Sequence, residues 1–147
     1  MDRNHLQCQL AHTKKSLFDQ GYIDKEQFNQ LEELQDDANP NFVEEIVTLF
    51  YNDSARLIQN IEHTLVNRPI DFGRLDDISH QFKGSCSSIG AKNVKDACTQ
   101  FREYCSAENA QGCIRTLQLV KQEYATLRRQ LETYFQMVRE AGEAESA

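Results

Sequence analysis

Chain breakers are scarce in this sequence: two prolines and six glycines in 147 residues. Few turns and much helix follow. No window sustains the period-two alternation of a half-buried strand, so an all-α fold is expected. No apolar run approaches the ~20 residues that a membrane helix needs. The opening stretch MDRNHLQCQLAHTKK holds no apolar core of a secretory signal. A soluble, intracellular protein with no membrane partner is therefore expected. Basic residues are outnumbered, 16 Lys and Arg against 23 Asp and Glu, for a net charge of −7. Nucleic acid is held mainly by clustered Lys and Arg, so a nucleic-acid partner is not expected. Paired cysteine motifs are missing too. Cys8, Cys86, Cys98, Cys105 and Cys113 are odd in number and form no Cys-x-x-Cys. Free thiols in a reducing compartment follow. A zinc site would need closer ligand pairs, so no metal is expected and the cysteines read as small buried residues. No glycine loop of the kind that cradles nucleotide phosphates is present.

What the chain does have is helical periodicity. Its length suits one domain with a real core. A first helix over residues 3–18 turns Leu6, Leu10, Leu17 and Phe18 inward and breaks at Gly21. Asp24 can cap a second helix with Phe28, Leu31 and Leu34 on one stripe. The run DDANPN interrupts the pattern, since Pro40 disfavours helical geometry at Asn39. Asn41 and Glu44 have capping-box spacing. They open a long helix with Val43, Ile46, Val47, Phe50, Leu57, Ile58, Ile61 and Leu65 inward, ended by Asn67 and Pro69. Another helix runs from Phe72 to Ser88 and closes at Gly90. A shorter one covers Asn93 to Cys105, with Val94, Ala97, Cys98 and Phe101 inward. The last is long, with a seam of Leu117, Val120, Tyr124, Leu127, Leu131, Tyr134 and Val138 suited to antiparallel packing in a bundle. The small, acidic tail AGEAESA is expected to fray. About six helices result, read as one domain over 1–147. Its bundle core spans about 41–140, and an N-terminal helix pair of about 3–36 lies against it.

The segment DFGRLDDISHQFKGSCSSIGA, Asp71 to Ala91, is the most informative. At about 100° per residue, Leu75, Ile78, Phe82, Cys86 and Ile89 form one narrow apolar stripe. His80 falls about 160° from the centre of that stripe and points away from the core. Gly73, Asp77, Gly84 and Ser87 lie around it, so the face is small and polar. Glycine inside a helix costs roughly 1 kcal/mol relative to alanine. At Gly84, one turn from His80, the physical reason would be removal of bulk so that another molecule can approach the imidazole; the alternative is a tolerated kink or helix end. Lys83 lies within reach of a group attached to the ring and could balance phosphate charge. Its alternative is a solvated lysine paired with Asp76, Asp77 or another surface acid. Imidazole is a nucleophile near neutral pH, which makes an unobstructed surface histidine a candidate phosphoryl acceptor. His5, His12 and His63 have no such neighbourhood and read as ordinary histidines.

The run His80-Gln81-Phe82-Lys83-Gly84-Ser85-Cys86-Ser87-Ser88 resembles the signature of histidine-containing phosphotransfer proteins, of the plant type used in multistep phosphorelays. Ile89 to Val94, the upstream Asn39-Pro40-Asn41-Phe42-Val43 with Leu49-Phe50, the downstream Phe101-Arg102-Glu103-Tyr104-Cys105 and the final helix extend the likeness over nearly the whole chain. The resemblance implies an antiparallel four-helix bundle with additional N-terminal helices. It implies that His80 is the phosphoacceptor, with Lys83 and Gly84 as the lysine and glycine that follow it. Cys86 stands where many plant relatives have serine, on the core side of the helix, where little effect on transfer is expected. The implied partners are receiver domains, first of a hybrid histidine kinase and then of a response regulator. Gly73, Asp77, Gln81 and Ser87 would lie near the docked partner. The receiver would supply Mg²⁺ and the acidic pocket, so the chain itself needs no cofactor and no ATP-dependent kinase activity. Cytokinin signalling and movement between cytoplasm and nucleus are further implications, and a monomer is expected because nothing in the sequence demands a dimer. Two rivals remain at this stage. One is a helical module that binds receivers without carrying phosphate. The other is an enzyme using His80 as a general base, which the open glycine face disfavours because such a base needs an orienting acid and a pocket.

Overall fold

The computed structural model describes residues 3–146, which form six helices. These are α1 (Arg3–Asp19), α2 (Lys25–Leu34), α3 (Phe42–Val66), α4 (Phe72–Ile89), α5 (Lys92–Ser106) and α6 (Ala110–Ser146). Helices α3 to α6 make the bundle. Helix α1 lies along α6, and α2 sits across the ends of α3 and α4. Short connections force successive bundle helices to run antiparallel.

The core follows the periodicity closely. Val43, Val47, Phe50, Leu57, Ile58, Ile61 and Leu65 of α3 are buried. So are Val94, Ala97, Cys98, Phe101 and Cys105 of α5 and Leu117, Val120, Leu127, Leu131 and Tyr134 of α6. Rings stack edge to face where α1, α2 and α6 meet, with Phe28 6.0 Å from Phe18 and 6.1 Å from Tyr134. Four of the cysteines, Cys86, Cys98, Cys105 and Cys113, are buried free thiols, whereas Cys8 is exposed on α1 and departs from the buried reading. Burial pushes the Cys105 and Cys113 thiols up, and thiols held protonated in this way are unreactive.

Four expectations need correction. Leu34 is 64% exposed rather than part of the α2 stripe. Two successive steps of three carry it about 120° round the helix from Phe28. Asp24 and Asn41 occupy cap positions by backbone geometry, yet neither side chain caps its helix. Glu44, the other half of the expected capping box, pairs instead with Arg139 of α6 at 2.9 Å. The Val43 N–H, in the first turn of α3, donates to Gln35 Oε1 at 3.1 Å. The tail stays helical to Ser146, and Ala141 is buried. Packing of α1 along this half of α6, where Thr13 Oγ1 contacts Met137 Sδ at 3.4 Å, gives those turns tertiary support.

Two corners position the functional helix. Asp71 Oδ1 accepts from the Arg74 N–H at 3.0 Å and starts α4. Gly90, at φ 75°, ends it in a left-handed turn, with the Ala91 N–H donating to Cys86 O at 2.9 Å. The α1–α2 turn clasps this second corner through the backbone: the Asp24 N–H donates to Gly90 O at 2.7 Å, and the Lys92 N–H donates to Tyr22 O at 3.2 Å.

Candidate functional site

Helix α4 is anchored on one side only. Leu75, Phe82, Cys86 and Ile89 are completely buried and Ile78 nearly so, which fixes the rotation of the helix in the bundle. Ser79, also buried, satisfies its hydroxyl by donating to Leu75 O at 2.8 Å. With that face fixed, His80 emerges into solvent, together with Gly73, Asp77, Gln81, Gly84 and Ser87. The helix thus brings all these sequence-expected residues to the outer face, although Gly73 belongs to the first turn beside the Asp71 cap, about 10 Å along the axis from His80. Ser87 turns its hydroxyl back to Lys83 O at 3.1 Å. At Gly84 a Cβ atom would meet nothing within 4 Å. No packing partner inside the protein therefore explains the glycine, and α4 continues unbroken through it.

Lys83 is half-buried, and among the described residues its ammonium has no ion-pair partner. One expected competitor, Asp76, is taken by a residue that sequence reasoning did not assign to the site. Arg102 of α5 donates to it from Nε at 2.9 Å and from Nη2 at 3.3 Å, a fork on both carboxylate oxygens. The remaining terminal nitrogen, Nη1, lies 3.3 Å from His80 Nδ1. One helix thus supplies the imidazole and its acid, and the neighbouring helix supplies a cation that touches both. Asp76 could be noticed in the sequence one turn before His80. Arg102 could not, because its distance from His80 depends on the register between α4 and α5.

The Arg102 hydrogen bonds hold the Asp76 carboxyl below the usual carboxylate range, aided by the charge of Arg102. A carboxyl depressed in the folded state adds stability above its unfolded value and loses it as pH falls through the lowered one. Asp76→Asn is therefore expected to be less stable than wild type at pH 7, with the difference closing below about pH 4. Urea unfolding at both pH values checks this, and the effect should be modest for a pair so open to solvent.

Residues 45–141 match the Hpt domain family. The chain belongs to the histidine-containing phosphotransfer family. Among phosphotransfer relatives it is 63% identical to histidine-containing phosphotransfer protein 4 of Arabidopsis thaliana over 117 residues, covering 80% of this chain and 91% of that protein. It is 55% identical to pseudo histidine-containing phosphotransfer protein 5 of Oryza sativa subsp. japonica over 147 residues, covering 100% and 96%. The phosphotransfer bundle also superposes on the crystal structure of a histidine-containing phosphotransfer protein from Medicago truncatula, with a TM-score of 0.90 at 42% identity and 95% of each chain covered. Among the described residues no group of three or more His, Cys, Asp or Glu could hold a metal ion, and no helix is long and apolar enough to cross a membrane.

Proposed function

We propose that the protein is a phosphoryl carrier whose His80 takes the group from the aspartyl phosphate of one receiver domain and delivers it to the aspartate of another. The observation that carries this reading is an exposed imidazole beside a helix-interior glycine that nothing inside the protein requires. Phosphoryl transfer demands positioning and charge stabilisation more than covalent chemistry from the protein. Gly84 lets a partner surface close on the ring, and Lys83 offers its ammonium to the transferring phosphoryl oxygens. The receiver supplies the acidic pocket and its Mg²⁺, so this chain carries the group without being an ATP-dependent kinase. Donor and acceptor are a hybrid histidine kinase and a response regulator, with cytokinin signalling as the pathway class and cytoplasm and nucleus as the compartments. A monomer suffices, since each step pairs one bundle with one receiver.

A second reading follows from the relatives named pseudo histidine-containing phosphotransfer proteins, two of which are 55% and 53% identical to this chain over 147 and 142 residues. A protein of that kind would bind receivers and carry nothing. The presence of His80, Lys83 and Gly84 favours the carrier. The deciding experiment incubates wild type and His80→Gln with labelled, phosphorylated sensor-kinase receivers and Mg²⁺. Acid-labile, base-stable label on wild type alone is expected. Unlabelled wild type with several competent donors would leave the binding module as the better account.

A further inference from the structure

Arg102 sets more than the position of His80. A guanidinium has hydrogen-bond donors only and stays charged at any physiological pH. With Nη1 3.3 Å from His80 Nδ1, the contact is a hydrogen bond only if Nδ1 is bare and accepts. A neutral imidazole with a bare Nδ1 carries its hydrogen on Nε2. The arginine is not free to drift into another role, because Asp76 grips its Nε and Nη2 and leaves Nη1 as the nitrogen aimed at the ring. The other charged residues beside His80 on its own helix, Asp77 and Lys83, have no hydrogen bond to the ring. Nδ1 is thus spoken for, and Nε2 is the nitrogen left to a partner.

We propose that Arg102 is a positioning residue that holds His80 Nδ1 without a proton, so that the empty ring rests in a form unable to attack and the loaded ring rests in its long-lived form. This rests on the carrier reading above. In transfer, the Nε2 lone pair attacks phosphorus, the N–P bond forms, and the P–O bond to the receiver aspartate breaks with its electron pair staying on the carboxylate oxygen. A nitrogen that bears hydrogen has no in-plane pair to offer. Uptake therefore requires the hydrogen to leave Nε2 and one to stand on Nδ1, and Nη1 must withdraw while that happens. Immediately after transfer the ring is a cation with hydrogen on Nδ1. Loss of that proton to water gives a neutral phosphoimidazole whose Nδ1 is bare again and accepts from Arg102. The neutral ring is the poorer leaving group, so the contact protects the load from water until a receiver displaces the arginine.

The test uses the full chain with ¹⁵N-labelled histidine, read by NMR at a pH where the ring is neutral. Wild type is expected to show a pyridine-type Nδ1 and a pyrrole-type Nε2 at His80. In Arg102→Gln the amide oxygen can accept from Nδ1–H, and the hydrogen should move toward Nδ1. The same proteins, loaded at His80 with phosphoramidate and no receiver, should lose phosphate at pH 7 at different rates, with the variant on the order of tenfold faster for one charge-assisted bond removed. Asp76→Asn, which leaves the arginine but frees it, should move both readouts the same way and stands in if Arg102→Gln does not fold. A wild-type ring with hydrogen on Nδ1, or loaded variants as long-lived as wild type, would overturn the proposal. Neither readout uses a receiver, so failure of wild type to accept from receivers would count against the carrier function and leave this result standing.

Discussion

A protein with leucine in place of Gly84 is expected to melt higher than wild type and to accept phosphoryl groups from a receiver about a hundredfold more slowly. The two effects have opposite signs because they depend on different neighbours. Within the chain, a side chain at this position meets nothing within 4 Å, so no clash opposes it. Replacing an interior helical glycine by a good helix former recovers up to ~1 kcal/mol, which for a protein of this size raises Tm by about 2–4 °C. Toward the partner, the same side chain leans back over the preceding turn, where His80 emerges, because helical side chains tilt toward the N-terminus. A receiver held off by about 1 Å loses on the order of a hundredfold in rate. Thermal unfolding and transfer kinetics measure the two halves. Phosphoramidate loading, which needs no docked protein, should proceed nearly as in wild type. Transfer from the receiver at the wild-type rate would mean that the open face is not the approach route.

The same kind of substitution at Gly112 should have the reverse effect on stability. A Cβ there would sit 2.2 Å from Tyr104 Cδ1 and 2.6 Å from Cγ, at the base of the ring rather than its flexible tip. The tyrosine must leave its place between α5 and α6, or the helices must part. Overpacking of this kind costs about 1–3 kcal/mol, only partly offset by the ~1 kcal/mol that alanine returns in helix propensity. Gly112→Ala should therefore lower Tm by several degrees. Truncating the obstacle distinguishes this cause from others: in a Tyr104→Ala background the added methyl group should cost nothing, and the double-mutant cycle should show strong coupling. The backbone contacts around Gly112 are not at stake. Asn109 Oδ1 accepts from its N–H at 3.0 Å, and its carbonyl accepts from Thr116 Oγ1 at 2.7 Å, neither of which needs a glycine.

These two glycines mark where sequence is a sufficient guide and where it is not. Gly84 could be read from the helical wheel, because its meaning depends on its own helix and on the rotation that Leu75, Phe82 and Cys86 impose. The same holds for His80 and for most of the core, since a 3.6-residue period is a local property. Gly112 carries its meaning in Tyr104, which belongs to another helix. Arg102 and Asp76 are likewise 26 residues apart and meet only through the register between α4 and α5. Caps misled for a related reason. Asn41 has the residue type and spacing of a cap, but Arg139 of α6 captures the Glu44 that would have completed it. Competition from a distant partner is invisible in a local motif.

The clasp between the α1–α2 turn and the corner after α4 bears on where the working unit begins. The family match starts at residue 45, inside α3, as though the first two helices were an appendage. Yet Tyr22 and Asp24 supply the backbone partners of Lys92 and Gly90, and Gln27 Cβ stands 3.0 Å from where a Cβ on Gly90 would lie. The corner thus closes against α2 rather than against water. It sets the spacing between the helix that bears His80 and the helix that bears Arg102. A fragment trimmed to the matched residues would also lose the start of α3, with the buried Val43, and expose the side of α6 that Phe28 covers. The least that can be moved to another context as an intact relay element therefore begins with α1, and the two leading helices belong to the geometry of the histidine as much as the helix that carries it.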